Sequence, residues 1–342
     1  MSLPPRSAPT MADVARQAGV STMTVSRALK ADGAVSPTTR QRILAAVIEL
    51  GYVLDQTAGT LSSKRSGLVA ALIPSLNNSN FSETVHALVD TIERSGRQLL
   101  LGTTGYYLQN EERLIEAMLR RRPEGIIVTG GHHTPRARHL LAASGVPVLE
   151  TWDMPPEPIG HVVGFANAAT AQAMVHHLYG RGYRAIGFLG GATSRDIRGS
   201  DRRQGFSQAV QELGLPPGRI VGLGEPPAAI EHGQEGIVQL LTQWPDTDAA
   251  ICVSDLTAFG ALMECHRRGW AVPGRIAVAG FGDYEMSRYT YPRLTTVSVG
   301  ASQIGEAAGQ LMVRSIDAAH DGHPNDPQTI ATPYTIVQRE TT

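Results

Sequence analysis

MADVARQAGVSTMTVSRAL, residues 11–29, decides what the N-terminal part of this 342-residue chain is. Thr10 followed by Asp13 spells a capping box, with Asp in place of the usual Glu, and opens a helix reaching Ala18. Gly19 supplies a turn residue that tolerates positive φ, and Val20 follows to bury the turn. Ser21 caps a second helix, Thr22 to about Lys30. Ser36-Pro37 starts a third, which runs to about Leu50 and stops at Gly51. Val14, Ala15, Ala18, Val20, Val25, Ala28 and Leu29, joined by Ile43, Leu44 and Val47, are the expected interior. The small Ala15, the glycine turn, the anchoring Val25 and a polar start to the second helix together meet the requirements of a helix-turn-helix, whose second helix enters the DNA major groove.

Charge distribution agrees with that reading. The whole chain carries −1, but residues 1–66 hold eight Lys/Arg against four Asp/Glu, which is +4 and leaves −5 for the remainder. A small basic head on a mildly acidic body is what a nucleic-acid module joined to something else looks like. Apolar content of 42% supports a sizeable core. No apolar run approaches the ~20 residues of a membrane helix. Met1 to Pro9 lacks the apolar stretch of a secretory signal. Cys252 and Cys265 lie in segments that read as core strand and helix, so reduced thiols in a cytoplasmic protein are expected rather than a disulfide.

Residues 53–66 read as a polar connector with one short helix, Ala58 to Ser63. After it, apolar β-rich runs alternate with amphipathic helices: Leu68–Ile73 and a helix from Phe81; Gln98–Gly102 and Glu111–Arg121; Gly125–Thr129 and Arg136–Ser144; Val146–Leu149. Val162–Phe165, Ala185–Leu189, Ile220–Gly222, Ala249–Val253 and Ile276–Ala279 continue the series. Near-continuous apolar strands between helices predict buried parallel sheets, and some 270 residues of them predict two α/β lobes. The expected division is a head at 1–52, a hinge and linker at 53–66, and a two-lobed body at 67–342.

The head carries a family resemblance. Asp13-Val-Ala, Ala18-Gly-Val-Ser21, Thr24-Val-Ser-Arg27, Val35-Ser-Pro and Leu50-Gly-Tyr52 resemble LacI/GalR repressors, as does Pro292-Arg-Leu-Thr-Thr296 near the end. The resemblance implies a periplasmic-binding-protein-like body and no enzyme. It also implies that Thr22, Met23 and Arg27 face base edges, Arg27 suiting a guanine edge and Met23 a thymine methyl. Thr10, Ser21, Thr24 and Ser26 would reach phosphates. Leu61, in Gly59-Thr-Leu-Ser-Ser-Lys64, occupies the place of the family's hinge-helix leucine, which wedges into the operator minor groove, with Lys64 beside it. Leu54 departs from the proline usual before this hinge.

The body offers a cleft at the carboxyl ends of its strands. Gly187-Phe-Leu-Gly-Gly191 lacks the GxGxxG spacing, and no P-loop, GxSxG or metal-binding His pair at helical spacing appears. No cofactor is expected. His132-His133 adjoins a strand end, and His133 is placed to face the cleft. The resemblance implies effector contacts at Asn80 and Phe81, and at Arg202, whose alternative is a surface salt bridge. Arg195 and Arg198 would add positive field, and Glu150 and Trp152 would order hydroxyls or serve as plain structure. Ser254-Asp255 stands where most sugar-binding members have Asn-Asp. Gly280-Phe-Gly282 removes the usual chelating aspartate and brings Asp283 one position late. Losing a cleft carboxylate suits an anionic ligand, because like charges repel. Thr22-Met-Thr-Val-Ser-Arg27, His133-Thr-Pro-Arg136, Pro147-Val-Leu-Glu150 and Val163-Gly-Phe165 resemble gluconate-type repressors. A sugar acid such as gluconate, or a keto or phosphorylated relative, is therefore the expected effector, ahead of a neutral sugar or nucleoside-like ligand. Double-stranded operator DNA and a second copy of the chain, as a homodimer, are the expected partners. A sugar-binding transport protein is the rival reading from another class. No leucine heptads follow Thr335, so no tetramerising zipper is expected.

Overall fold

A computed structural model describes residues 8–29, 34–53, 65–191 and 195–342. The contacts divide the chain into two compact units, one up to Ser66 and one from Gly67 on. The short helix expected at Ala58–Ser63, with Leu54, Leu61 and Lys64, lies outside the described residues.

The first unit contains α1 (Met11–Ala18), α2 (Thr22–Ala28) and α3 (Pro37–Leu50). Thr10 and Asp13 form the reciprocal box: Asp13 N donates to Thr10 Oγ1 at 3.3 Å, and Thr10 N donates to Asp13 Oδ2 at 2.9 Å. The Thr10 hydroxyl, which also donates to Asp13 Oδ2 at 2.6 Å, and the Thr10 N–H hold the Asp13 carboxyl below its usual range. Gly19 closes α1 at φ +62°, a left-handed conformation that costs a glycine nothing. Ser21 caps α2 and Ser36 caps α3, with Pro37 at its first turn. Arg40 Nη1 donates to Ala28 O at 2.6 Å and so ties α3 to the end of α2. Val14, Ala15, Ala18, Val25, Ala28 and Ile43 fill the interior as expected. Leu44 does not: it is 43% exposed, and Ala46 and Tyr52 are buried in its place. One helical position is a rotation of about 100°, so the stripe 43, 46, 47, 50 faces inward and 44 and 48 face out.

The second unit holds two six-stranded sheets among the described residues. The first uses β1 (Leu68–Ile73), β2 (Gln98–Thr103), β3 (Gly125–Thr129), β4 (Val148–Thr151), β5 (His161–Gly164) and β11 (Thr329–Ala331), in the order β11-β5-β4-β3-β1-β2. All its pairings are parallel. The second uses β6 (Ile186–Leu189), β7 (Ile220–Val221), β8 (Ala249–Cys252), β9 (Ala277–Phe281), β10 (Thr295–Ser298) and β12 (Thr335–Val337), in the order β12-β10-β9-β8-β6-β7. Only β12 runs antiparallel to its neighbour. Helices cover both sheets, as buried parallel strands require. Cys252 and Cys265 are free and buried together in the core of the second lobe, where burial pushes the Cys265 thiol up to about 12. Among the described residues no helix is long and apolar enough to cross a membrane.

The chain passes between lobes three times, at 164–167, 298–301 and 331–335. The helix Ala301–His320 therefore follows a second-lobe strand but packs on Ser79–Arg94 of the first lobe. The crossovers are stitched together, since Gly164 O accepts from Thr332 N at 2.7 Å and from Thr332 Oγ1 at 3.1 Å. A Cβ at Gly164 would stand 2.4 Å from Asp153 O and 2.6 Å from Asp153 N, contacts that backbone cannot relieve by rotating a side chain. Gly164→Ala is therefore expected to destabilise the body by about 1–3 kcal/mol, read as a lower urea midpoint; an unchanged midpoint would show that this crossover is not close-packed.

Candidate functional site

On the head, Thr22, Met23 and Arg27 are exposed on α2, Met23 at 64%, while Val25 and Ala28 face inward. Arg27 Nη2 lies 3.9 Å from Met23 Sδ, so the two side chains share one outward face. Ser26 is partly exposed beside them. The hydroxyls of Thr10, Ser21 and Thr24 are already engaged in the caps, Ser21 Oγ and Thr24 Oγ1 being 2.9 Å apart.

In the body, a cavity of about 440 Å³ opens between the lobes, a size suited to a small ligand. Every segment lining it follows the carboxyl end of a strand, as expected for open α/β sheets. Asn78, Asn80, Phe81, Tyr106 and Trp152 come from the first lobe. Asp196, Arg198, Arg202, Ser254, Phe281 and Tyr284 come from the second. The walls are apolar, with Phe81 and Trp152 edge to face at 5.1 Å between ring centroids. Arg202 lies 4.1 Å over the Phe281 ring and Arg198 lies 5.4 Å over Phe81. Arg202 Nη1 donates to Asn167 Oδ1 at 2.6 Å, but its Nε is buried without an acceptor, and so is Trp152 Nε1. Among the described residues neither Arg198 nor Arg202 belongs to an ion pair. Burial therefore pushes the Arg202 guanidinium below its ordinary range. Arg195, by contrast, is paired with Glu225 at 2.8 Å and stacked 3.6 Å from Tyr107, outside this cavity.

The lacI-family profile of bacterial regulatory proteins matches residues 10–55, and the periplasmic binding protein-like domain matches residues 175–342. The HTH-type transcriptional regulator GntR of Pseudomonas aeruginosa is 36% identical over 90% of this chain and 89% of its own length. The chain belongs to the LacI family. The GntR regulator of Escherichia coli is 33% identical over 90% of this chain and 92% of its own. A solved LacI-family regulator from Silicibacter pomeroyi matches at TM-score 0.89 and 32% identity, covering 97% of this chain and 99% of that one. This LacI-family member is a DNA-binding transcriptional regulator; these relatives are named as regulators, not as enzymes.

Of the effector positions expected in this LacI-family body, Asn80, Phe81, Arg198, Arg202 and Ser254 are brought together in the cavity. His133, Glu150 and Asp283 are not. The His133 side chain is 1% exposed, its Nδ1 2.9 Å from Glu111 Oε2 and its Nε2 3.4 Å from Glu150 Oε1. Glu150 is wholly buried and accepts from Ile159 N at 2.7 Å. Both residues thus belong to a sealed ionic cluster of the first lobe. Asp283 is turned away by Gly282, at φ +127°, and its carboxylate is held by Arg339 at 2.6 Å and Arg288 at 3.5 Å. Tyr284 enters the cavity instead. Asp255, next to Ser254, is also buried and accepts from Tyr284 N, Ser287 Oγ and Thr296 Oγ1; burial raises its carboxyl to about 6. It holds the loop that carries Tyr284. Tyr106, Tyr284, Asn78 and Asp196 were not anticipated from sequence, although the polar run Asn77-Asn-Ser-Asn80 after a strand was a usable signal. Among the described residues no group of His, Cys, Asp and Glu is arranged to hold a metal.

Burial of His133 alone would lower its pKa, but the hydrogen bond to Glu111 and the close Glu150 carboxylate outweigh it and raise the imidazole to about 9. A folded-state pKa above the unfolded value of ~6.5 stabilises the fold fully below that pH, and the contribution fades as pH rises through about 9. Urea midpoints measured from pH 6.5 to 9.5 should fall, and His133→Leu should flatten this trend. His133→Leu should also cost about 3–5 kcal/mol at neutral pH, because it leaves two buried carboxylates unaccompanied.

Proposed function

We propose that this regulator is a repressor whose operator affinity is set by a sugar acid such as gluconate, or a keto or phosphorylated relative. The observation that carries the reading is Arg202: a cation in a largely apolar cavity, with Arg198 beside it, a buried Nε without an acceptor and, among the described residues, no carboxylate within ion-pair distance, Asp196 of the same cavity acting on it only from farther off. A ligand carboxylate supplies the missing charge and the missing acceptor, and guanidinium geometry favours two parallel bonds to it. Asn78, Asn80, Tyr106, Tyr284 and Ser254 line the same cavity and offer donors and acceptors for a polyol chain. The absence of a chelating carboxylate after Phe281 fits the same sign of charge.

The mechanism is a ligand-biased shift between two states of the body. Two copies pair through their bodies and present two heads to a pseudo-palindromic operator. Thr22, Met23 and Arg27 read base edges, while Thr10, Ser21, Thr24 and Ser26 contact phosphates and Leu61 and Lys64 act in the minor groove at the hinge. The ligand draws the two lobes together around Arg202, changes the spacing of the heads, and operator affinity changes by the coupling free energy.

The purified chain should shift an operator fragment, with affinity falling steeply as salt rises. A thermal-shift panel should report stabilisation by aldonates and none by neutral hexoses. Arg202→Ala should weaken aldonate binding by roughly 2–5 kcal/mol and leave operator binding intact. No DNA binding at any salt would sink the regulator mechanism, and stabilisation by neutral sugars alone would sink the sugar-acid effector.

A further inference from the structure

Asn167 opens the helix Asn167–Gly180, three residues past Gly164 at the first crossover. The N-cap position is held by Ala166, whose side chain cannot cap, and the amide of Asn167 at the first helical position turns into the protein interior. Its Oδ1 accepts from Arg202 Nη1 at 2.6 Å, and its Nδ2 donates to Trp152 O at 3.1 Å. Acceptor on one side and donor on the other fix the orientation of the amide, so it cannot flip without breaking both bonds. Asn167 is itself 2% exposed.

A series of aromatic rings closes the same loop. Trp152 meets Phe165 at 5.8 Å, Phe165 meets Phe281 at 6.1 Å, and Phe281 carries Arg202 at 4.1 Å. Trp152 belongs to the first lobe and Arg202 to the second. The side chain of Asn167 joins them by hydrogen bonds, where the rings join them only by apolar contact.

We propose that Asn167 is a positioning residue that transmits occupancy at Arg202 to the first lobe through the carbonyl of Trp152, an inference that rests on the cavity being the effector site. When a ligand oxygen pulls on the guanidinium, a planar amide held at both ends moves with it and carries the Trp152 backbone, which sits at φ +67° and has little freedom to relax. Asn167 thereby converts a local bond into a displacement of one lobe against the other, a coupling carried by a contiguous set of contacts.

The test uses the full chain carrying Trp244→Phe and Trp270→Phe, which leaves Trp152 as the one tryptophan. With Asn167 present, Arg202→Gln should shift the Trp152 emission; with Asn167→Ala also present, the shift should disappear. No shift in the first case, or an equal shift in both, overturns the relay. If the alanine variant fails to fold, Asn167→Asp replaces it: this keeps the acceptor for Arg202 but sets an oxygen against the Trp152 carbonyl, and the response should be lost in the same way. This arm contains no ligand, so failure of aldonates to bind would sink the effector reading without touching the relay result. Where D-gluconate binds the wild type, Asn167→Ala should weaken it about tenfold or more and remove its effect on operator affinity; unchanged affinity and effect contradict the proposal.

Discussion

The body is organised around one buried cation, Arg202, whose attraction to Asp196 in the same cavity falls short of an ion pair. Arg202 sits on the face of Phe281, between apolar walls, with one acceptor among the described residues, Asn167 Oδ1, for one of its nitrogens. Taking a guanidinium out of water costs free energy that a carboxylate partner would ordinarily offset, and the protein places none within ion-pair distance among its described residues. The same low-dielectric surroundings make any anion that does arrive bind more strongly than it would at the surface. The two parallel sheets serve this arrangement. Their strands end at the cavity, so segments far apart in sequence, Asn78–Phe81, Tyr106, Trp152, Arg198–Arg202, Ser254 and Phe281–Tyr284, converge on one ligand-sized space.

The head was legible because its signals are local. Caps at Thr10, Ser21 and Ser36, a glycine turn and an apolar stripe sit within a few residues of what they determine. Leu44 is the exception: the apolar stripe of its helix can be rotated by one position without losing its apolar character, and the fold leaves Leu44 exposed. In the body, long apolar strands between helices were readable. The strand at Thr295–Ser298 and the three-residue strands Thr329–Ala331 and Thr335–Val337 were not, since short runs rich in threonine resemble loops.

The cavity was harder, because its residues lie where strands end and regular alternation stops. Strand periodicity puts residues 150 and 152 on one face, yet Trp152 takes φ +67°, so Glu150 stays in the sealed cluster with His133 while Trp152 lines the cavity. Asp283 likewise follows a glycine at φ +127° and takes φ +50° itself, which sends its carboxylate to Arg339. Such turns depend on tertiary packing and leave no period in the sequence. Arg202 was recoverable because a resemblance identified its position, whereas its lack of a carboxylate partner is a fact of the folded state alone.

The central claim is that occupancy of the cavity and occupancy of the operator are coupled in one molecule, and coupling of binding equilibria is reciprocal. The most direct measurement is the D-gluconate affinity of the full chain, determined with and without saturating operator fragment. The account predicts that the two affinities differ, and by the same factor by which saturating gluconate changes operator affinity. Gluconate that binds equally well in both conditions would contradict it.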